Sequence, residues 1–311
     1  MSDIISRRRL LVGTALLFPA LTFAVAARAQ TAGDVVPPEE AAPADTKAVD
    51  NAEKQLADLE KKIGGRLGVS VLDTETNISL GYRETERFPL CSTYKLLAAG
   101  FVLSRVDRGA EKLDRRVTFG KDVLVTYSPV TEKHADTDGM TIAELCEAAI
   151  TMSDNTAGNL LLDSFGGPPV LTAWLRTLND TETRLDRKET EVNEAKKGDP
   201  RDTTTPDSML DTVGGLTLGD TLSDASREAL AGWMVANTTG GQRLRAGLPT
   251  EWKVGDKTGT GDNGSYADVA IIWPADRGPI LIAAYVTEAT APIADVNTVF
   301  AEVGKIVAGM V

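Results

Sequence analysis

The chain has 311 residues, a formal net charge of −12 and one histidine, His134. An acidic balance argues against a nucleic-acid partner, because a phosphate backbone demands basic patches. With His134 alone, a zinc site of several histidines is excluded and a Ser-His-Asp triad has poor support.

Residues 1–29 read as a removable leader. Ser6-Arg7-Arg8-Arg9 gives a basic start, an apolar stretch runs from Leu10 to Ala27, and Ala27-Arg28-Ala29 resembles a cleavage site before Gln30. The stretch approaches the roughly 20 residues of a spanning helix, so a membrane anchor is the competing reading; the cleavage site argues for removal and against a stable anchor. The paired arginines suggest twin-arginine export, and hence a periplasmic or secreted protein. Losing the leader makes the remainder more acidic, about −15 by standard side-chain charges. Residues 30–47, "QTAGDVVPPEEAAPADTK", are rich in Pro, Ala and acids and read as a flexible linker.

The body, 48–311, opens with "AVDNAEKQLADLEKKI", where Leu56, Leu59 and Ile63 recur at helical spacing. "GRLGVSVLDTETNISLGYR" alternates and turns at Asp73–Thr76, which reads as a strand hairpin. From Ser92 to about Trp233 the pattern is mostly helical. "STYKLLAAGFVLSRVDRG" reads as a helix ending at Gly109, and "TIAELCEAAITMS" starts with Thr141 and Glu144 at capping-box spacing. "SDNTAGNLLLDSFG", "PPVLTAWLRTLN", "DSMLDTVGGLTLG" and "SDASREALAGWMVANTT" continue the helical run. Residues 181–206 lack periodicity and read as a long loop, a kind of segment that is usually functional. Three strands follow in "EWKVGDKTGTG", "SYADVAIIWPA" and "GPILIAAYVT", then a helix in "PIADVNTVFAEVGKIVAGMV". Strands at both ends with helices between them predict an α+β fold: an antiparallel sheet from both termini (about 48–90 and 234–311) with flanking helices, and an inserted helical subdomain (about 91–233).

Three short stretches could carry chemistry. In "FPLCSTYKLL", Ser92 lies three positions before Lys95. A helix cap would explain Ser92. Helical spacing would also bring Lys95 beside its hydroxyl, and a lysine with lowered proton affinity can serve as a base. "MSDNTAG" offers Ser153 and Asn155, or simply a cap at Ser153 or Asp154. "GDKTGTG" offers Lys257, or a surface lysine before a turn.

Together and in this order, Ser-x-x-Lys, Ser-Asp-Asn and Lys-Thr-Gly resemble the set of the class A serine β-lactamases. The resemblance runs from about residue 50 to the C-terminus. It includes "YSPVTEKH" and "RLDRKETEVNEA…DPRDTTTP". It implies a nucleophilic Ser92, activated with help from Lys95, and Ser153 as relay to the departing nitrogen. It implies that Glu189 and Asn193 hold a water that Glu189 deprotonates. Asn155, Lys257, Thr258, Gly259, Thr260 and Tyr127 would line the substrate cleft. The N–H groups of Ser92 and Thr260 would form the oxyanion hole, and Arg187 and Asp202 would clamp the loop. No metal or cofactor is implied, and the expected partners are small β-lactams acting on a monomer.

The chain also departs from the family pattern. Tyr266 stands where many members carry an arginine, and Arg243 matches a compensating arginine of a subgroup that includes carbapenem-hydrolysing enzymes; Thr260 is shared with that subgroup. Arg243 as a plain surface charge is the competing reading. Those enzymes pair a cysteine before the nucleophile with one after Lys-Thr-Gly, but Gly261 stands opposite Cys91 here. Cys146 matches a different disulfide of the family, whose partner position is held here by Ala99, so the resemblance leads to two free thiols as the expectation. Thr190 follows Glu189 where proline is common. A D,D-peptidase with the same three motifs, or a penicillin sensor that acylates and stops, are the alternatives. Glu189 argues against the first, and the lack of a visible signalling partner argues against the second.

Overall fold

The computed structural model describes residues 43–310, with side chains from residue 48. The leader and most of the segment read as a linker lie outside the described residues. The first helix, α1 (Pro43–Ile63), starts inside that segment. This corrects the linker boundary, and the physical reason is local: proline is tolerated in a first helical turn, where its missing N–H would be unpaired anyway.

In chain order come β1 (Arg66–Asp73), β2 (Ser79–Tyr82), β3 (Phe88–Pro89) and α2 (Tyr94–Asp107). Then follow β4 (Arg116–Val117), β5 (Met140–Thr141), α3 (Ile142–Thr151), α4 (Asn155–Phe165), α5 (Pro168–Thr177), β6 (Thr203–Thr204), α6 (Pro206–Thr217) and α7 (Asp224–Val235). The chain closes with α8 (Leu244–Gly247), β7 (Lys253–Gly261), β8 (Ser265–Trp273), β9 (Ile280–Thr287) and α9 (Ile293–Ala308).

Five strands form one antiparallel sheet in the order β2-β1-β9-β8-β7. N-terminal β1 pairs along its whole length with C-terminal β9, from Arg66↔Thr287 to Asp73↔Ile280. The sheet is therefore built from both ends of the chain, as the alternation of strand and helix signals predicts. Both of its faces are covered. Leu56, Leu59 and Ile63 of α1 and Val299, Phe300 and Val303 of α9 bury one face against Val69, Ile272 and Ala284. The other face carries Val269, Ile271 and Tyr285 into the core of the helical segments, with Leu96, Leu145, Leu161 and Leu210. Every residue of β9 is buried, which is why "ILIAAYVT" reads as a continuous apolar run rather than an alternation.

Two short antiparallel pairs, β3 with β6 and β4 with β5, fall below the length at which sequence alternation can be read. Their effect is local but matters. The β3–β6 pair ties the end of the 181–206 loop to the strand leading into Ser92, through Phe88↔Thr204 and Pro89↔Thr203. The Thr141–Glu144 capping box starts α3 as predicted.

Candidate active site

Leu90 and Cys91 bring the chain into a single 3-10 turn, Cys91–Thr93, before α2 begins at Tyr94. Ser92 is thus one turn ahead of the helix rather than its cap, and neither end of the turn has a side-chain cap bond. A hydroxyl not spent on capping is free for chemistry. Cys91 sits at φ 44°, in the left-handed region that non-glycine residues rarely adopt. Tyr127 (φ 64°) and Ser153 (φ 55°) share that region, and such backbone strain gathers at functional sites. Strand β7 runs directly against the turn. A Cβ added to Gly259 would meet Leu90 O at 3.1 Å and Ser92 N at 3.3 Å, so only glycine lets the strand approach this closely.

Lys95 lies on the first turn of α2, and its side chain is fully buried. Its Nζ is 3.0 Å from Ser92 Oγ, 2.9 Å from Ser153 O, 2.6 Å from Asn155 Oδ1 and 2.9 Å from Glu189 Oε1. Four acceptors surround a group that has three protons even when charged. Burial draws the Lys95 ammonium below the usual lysine range, and Glu189 pulls the other way. Ser92 Oγ also reaches Glu189 Oε1, at 3.4 Å.

Asp154 caps α4 through the N–H of Ala157, at 2.8 Å, and holds Thr131 at 2.8 Å. The capping role therefore belongs to Asp154, leaving Ser153 and Asn155 facing the cleft. Asn155 is braced by its Nδ2 donating to Thr126 O at 2.8 Å. Ser153 Oγ accepts from Lys257 Nζ at 3.0 Å. Lys257 is no surface lysine: it is completely buried on β7. Burial first, then the positive charge of Lys95, hold it well below the usual lysine range. Tyr127, by contrast, is 55% exposed.

The 181–206 loop is held shut at its base. Arg187 Nε donates to Asp202 Oδ2 at 2.6 Å, and Asp202 Oδ1 accepts the N–H groups of Asp186 and Arg187. Within the loop Glu189 is 3% exposed, and Asn193 Nδ2 donates to its Oε2. The Glu189–Thr190 peptide is cis. Glu191 and Glu194 are exposed, as a solvated charge run would be, though Glu194 also pairs with Arg187.

Arg243 corrects the surface-charge reading. It is 6% exposed, and its guanidinium donates to Gly259 O and Ala267 O at 2.7 Å each, to Thr260 Oγ1 at 2.8 Å and to Asn297 Oδ1 at 3.3 Å. Thr260 itself is exposed. Asp256 on β7 and Asp268 on β8 are both completely buried and are neighbours across the two strands. Arg245 Nε donates to Asp256 Oδ1 at 2.5 Å. Burial and the neighbouring Asp256 push the Asp268 carboxyl well above its usual range.

One residue of the site escaped sequence reasoning altogether. Asn159 brackets the backbone of Glu189: its Nδ2 donates to Glu189 O and its Oδ1 accepts from Glu189 N, both at 2.9 Å. Its position one helical turn after Asn155 was the available signal. Cys91 and Cys146 are both free and buried.

Ser92 beside a buried lysine, a buried carboxylate in a pinned loop and a strand carrying Lys-Thr-Gly meet in one place. Comparison with known proteins gives the family. The model of the "Beta-lactamase enzyme family" matches residues 51–311. The β-lactamase OXY-2 of Klebsiella oxytoca is 45% identical over 260 residues, 84% of this chain and 89% of that one. The β-lactamase AST-1 of Nocardia asteroides is 45% identical over 300 residues, 96% of this chain and 94% of that one. A solved structure of an ancestral class A β-lactamase is 60% identical with a TM-score of 0.82, covering 84% of this chain and 100% of that chain. The chain belongs to the β-lactamase enzyme family. Within it, the chain is a class A serine enzyme, a hydrolase of β-lactams of the kind that gives antibiotic resistance.

Proposed function

We propose that Ser92 is the nucleophile and that Lys95, in its neutral form, takes the Ser92 proton as the hydroxyl attacks the lactam carbonyl. The depressed proton affinity of Lys95 and its 3.0 Å contact with Ser92 Oγ support this. The N–H groups of Ser92 and Thr260 stabilise the developing oxyanion. The C–N bond of the ring then breaks, and Ser153 Oγ delivers a proton to the departing nitrogen. Lys257, donating to that hydroxyl, leaves the Ser153 proton free to face the cleft. Thr258, Gly259 and Thr260 form the strand edge along the substrate, with Asn155 and Tyr127 on the opposite wall. Lys257, Thr258 and Thr260 take the substrate carboxylate, and Arg243 acts through Thr260. The substrates are penicillins and cephalosporins, the enzyme acts as an exported monomer, and its leader is cleaved. Among the described residues no helix is long and apolar enough to cross a membrane.

Deacylation belongs to Glu189. With Asn193 it holds a water over the ester, removes one of its protons and lets hydroxide attack the Ser92 acyl carbon; Ser92 leaves with a proton returned. The observation that carries the reading is the position of Glu189: buried, within 3.4 Å of Ser92 Oγ, and fixed by Asn159 and Asn193. General-base assistance contributes about 10²–10⁴ in rate, or about 3–5 kcal/mol of barrier. Glu189→Ala is therefore expected to accept penicillin covalently and to accumulate the acyl-enzyme for minutes or longer, while exposed Glu191→Ala turns over like the parent. Burst kinetics with mass detection measure both. Normal turnover by Glu189→Ala would overturn the mechanism of the second step while leaving Ser92 as a candidate nucleophile.

A further inference from the structure

Tyr94 follows the nucleophile by two residues and precedes Lys95, yet the two-step mechanism gives it no role. Its side chain is completely buried. Its ring belongs to the same core cluster as Leu96 and Leu161. Its hydroxyl makes no well-formed hydrogen bond among the described residues, yet the Glu189 side chain lies near enough to act on it. A buried hydroxyl left in this way is costly, and phenylalanine would fill the same core without that cost.

The surrounding chain makes room for this oxygen. Gly158 lies inside α4, where glycine is unfavourable relative to alanine. A Cβ added there would stand 2.6 Å from Tyr94 Oη and 2.9 Å from Lys95 Cε. Gly158 thus leaves space for two things at once, the phenol hydroxyl and the stem of the lysine. The next residue, Asn159, grips the backbone of Glu189. The hydroxyl consequently faces the buried group of Lys95, Gly158 and Glu189. Lys95 Nζ is 5.8 Å from the Tyr94 ring centre.

We propose that Tyr94 is a positioning donor to the Glu189 carboxylate during deacylation. The lone-pair count supports the assignment. A carboxylate offers about four acceptor sites. In the free enzyme Lys95, Ser92 and Asn193 engage three of them. Acylation turns the Ser92 hydroxyl into an ester, which no longer donates, so its place on Glu189 passes to the attacking water. The remaining site is on Oε2, which Asn193 alone engages, and the phenol is the further side-chain donor that acts on this carboxylate. Burial, and next the charge of Glu189, push the Tyr94 phenol well above its usual range, so it remains a proton donor throughout the working pH. The other charged or titratable groups around this centre are Lys95 on α2, Lys257 on β7, Cys91 at the start of the 3-10 turn, Asp154 before α4 and Asp202 at the loop base. None of these offers Glu189 a neutral O–H.

The sign of the effect follows. A donor to a carboxylate holds it in place. Removing it leaves the base with one orienting partner fewer in the step that activates water, so deacylation slows. The inference rests on Glu189 as the base of the second step, so the test contains a control for that reading.

Deacylation rates are measured by single-turnover mass spectrometry with penicillin, for the parent, Tyr94→Phe and Glu189→Gln, together with acylation rates and melting temperatures. The expected result for Tyr94→Phe is deacylation slowed about tenfold, the size of one lost hydrogen bond to a charged group. Its acylation rate stays within about twofold of the parent and its melting temperature is not lowered, since the ring remains and a hydroxyl without a well-formed hydrogen bond is lost. An unchanged deacylation rate overturns the proposal, whether or not stability changes; acylation and deacylation slowed alike, with a loss of stability, would make Tyr94 a packing residue. If Glu189→Gln deacylates like the parent, the reading of Glu189 fails first, and that outcome is distinct from a stalled Glu189→Gln beside an unslowed Tyr94→Phe.

Discussion

Replacing Arg243 by alanine separates two ways in which a buried cation can serve an anionic substrate. The guanidinium has five N–H donors, and four contacts to Gly259, Ala267, Thr260 and Asn297 account for most of them. Little remains for direct contact with a ligand. What Arg243 does control is the Thr260 hydroxyl: by donating to Oγ1 at 2.8 Å it leaves the threonine proton to point elsewhere, toward the open cleft. A hydrogen bond to a charged group contributes about 1.5–3 kcal/mol. Arg243→Ala is then expected to lower kcat/KM about ten- to a hundredfold for penicillins with a free carboxylate. The same comparison with a penicillin methyl ester should show a much smaller penalty, because the ester lacks the anion proposed to meet Thr260. Arg243→Lys keeps the charge but not the planar fork and should fall between. Steady-state kinetics on the acid and ester, with thermal melting to report lost packing, form the assay. Equal penalties on both substrates would refute the route through Thr260. An unchanged kcat/KM on the acid would remove Arg243 from substrate recognition.

Ser92→Ala should abolish the covalent penicillin adduct in intact-mass spectra, and a persisting adduct would put the nucleophile elsewhere. Thiol titration should find two free thiols in denatured protein and almost none in the native state. Both cysteines are buried, and burial pushes the Cys91 thiol up to about 12 and raises Cys146 as well, which suppresses the reactive thiolate. Absence of thiols after denaturation would mean a bond that the structure does not contain.

The three motifs were readable because each is a short local pattern with its members within three residues of one another. Ser92 and Lys95 are three residues apart, and their side chains meet. The sheet was readable from β7, β8 and β9, whose apolar runs end at glycines and turn formers. What stayed hidden was set by distance in the chain. Nothing near Arg243 announces that β8 and α9 will close over it; its burial comes from Ala267 and Asn297, which lie on elements formed later in the sequence. The Asp256–Asp268 layer is hidden for the same reason, being a cross-strand arrangement of two carboxyls that look like ordinary strand acids. Tyr94 passed as an apolar position of a helix, which its ring is; only the cradle at Gly158 reveals that the oxygen is accommodated on purpose. The Ser92 offset from the helix start reflects a tendency of sequence patterns to merge a 3-10 turn with the α-helix it precedes.

The pairing of β1 with β9 joins residues more than 200 positions apart, as in Val69↔Ala284. Such non-local contacts incur their loop-closure entropy before they stabilise anything, and they slow folding. During synthesis β1 emerges early but must wait for the last strand before its second edge is closed. Until then that edge is an open row of N–H and C=O groups, available to the wrong partner. The last strand carries none of the site residues named above, yet β7, which presents Lys257 and Thr260, is joined to the N-terminal half only through β8 and β9. The site is therefore completed late and all at once, when β9 arrives, and a partly made chain has Ser92 but no wall to set against it.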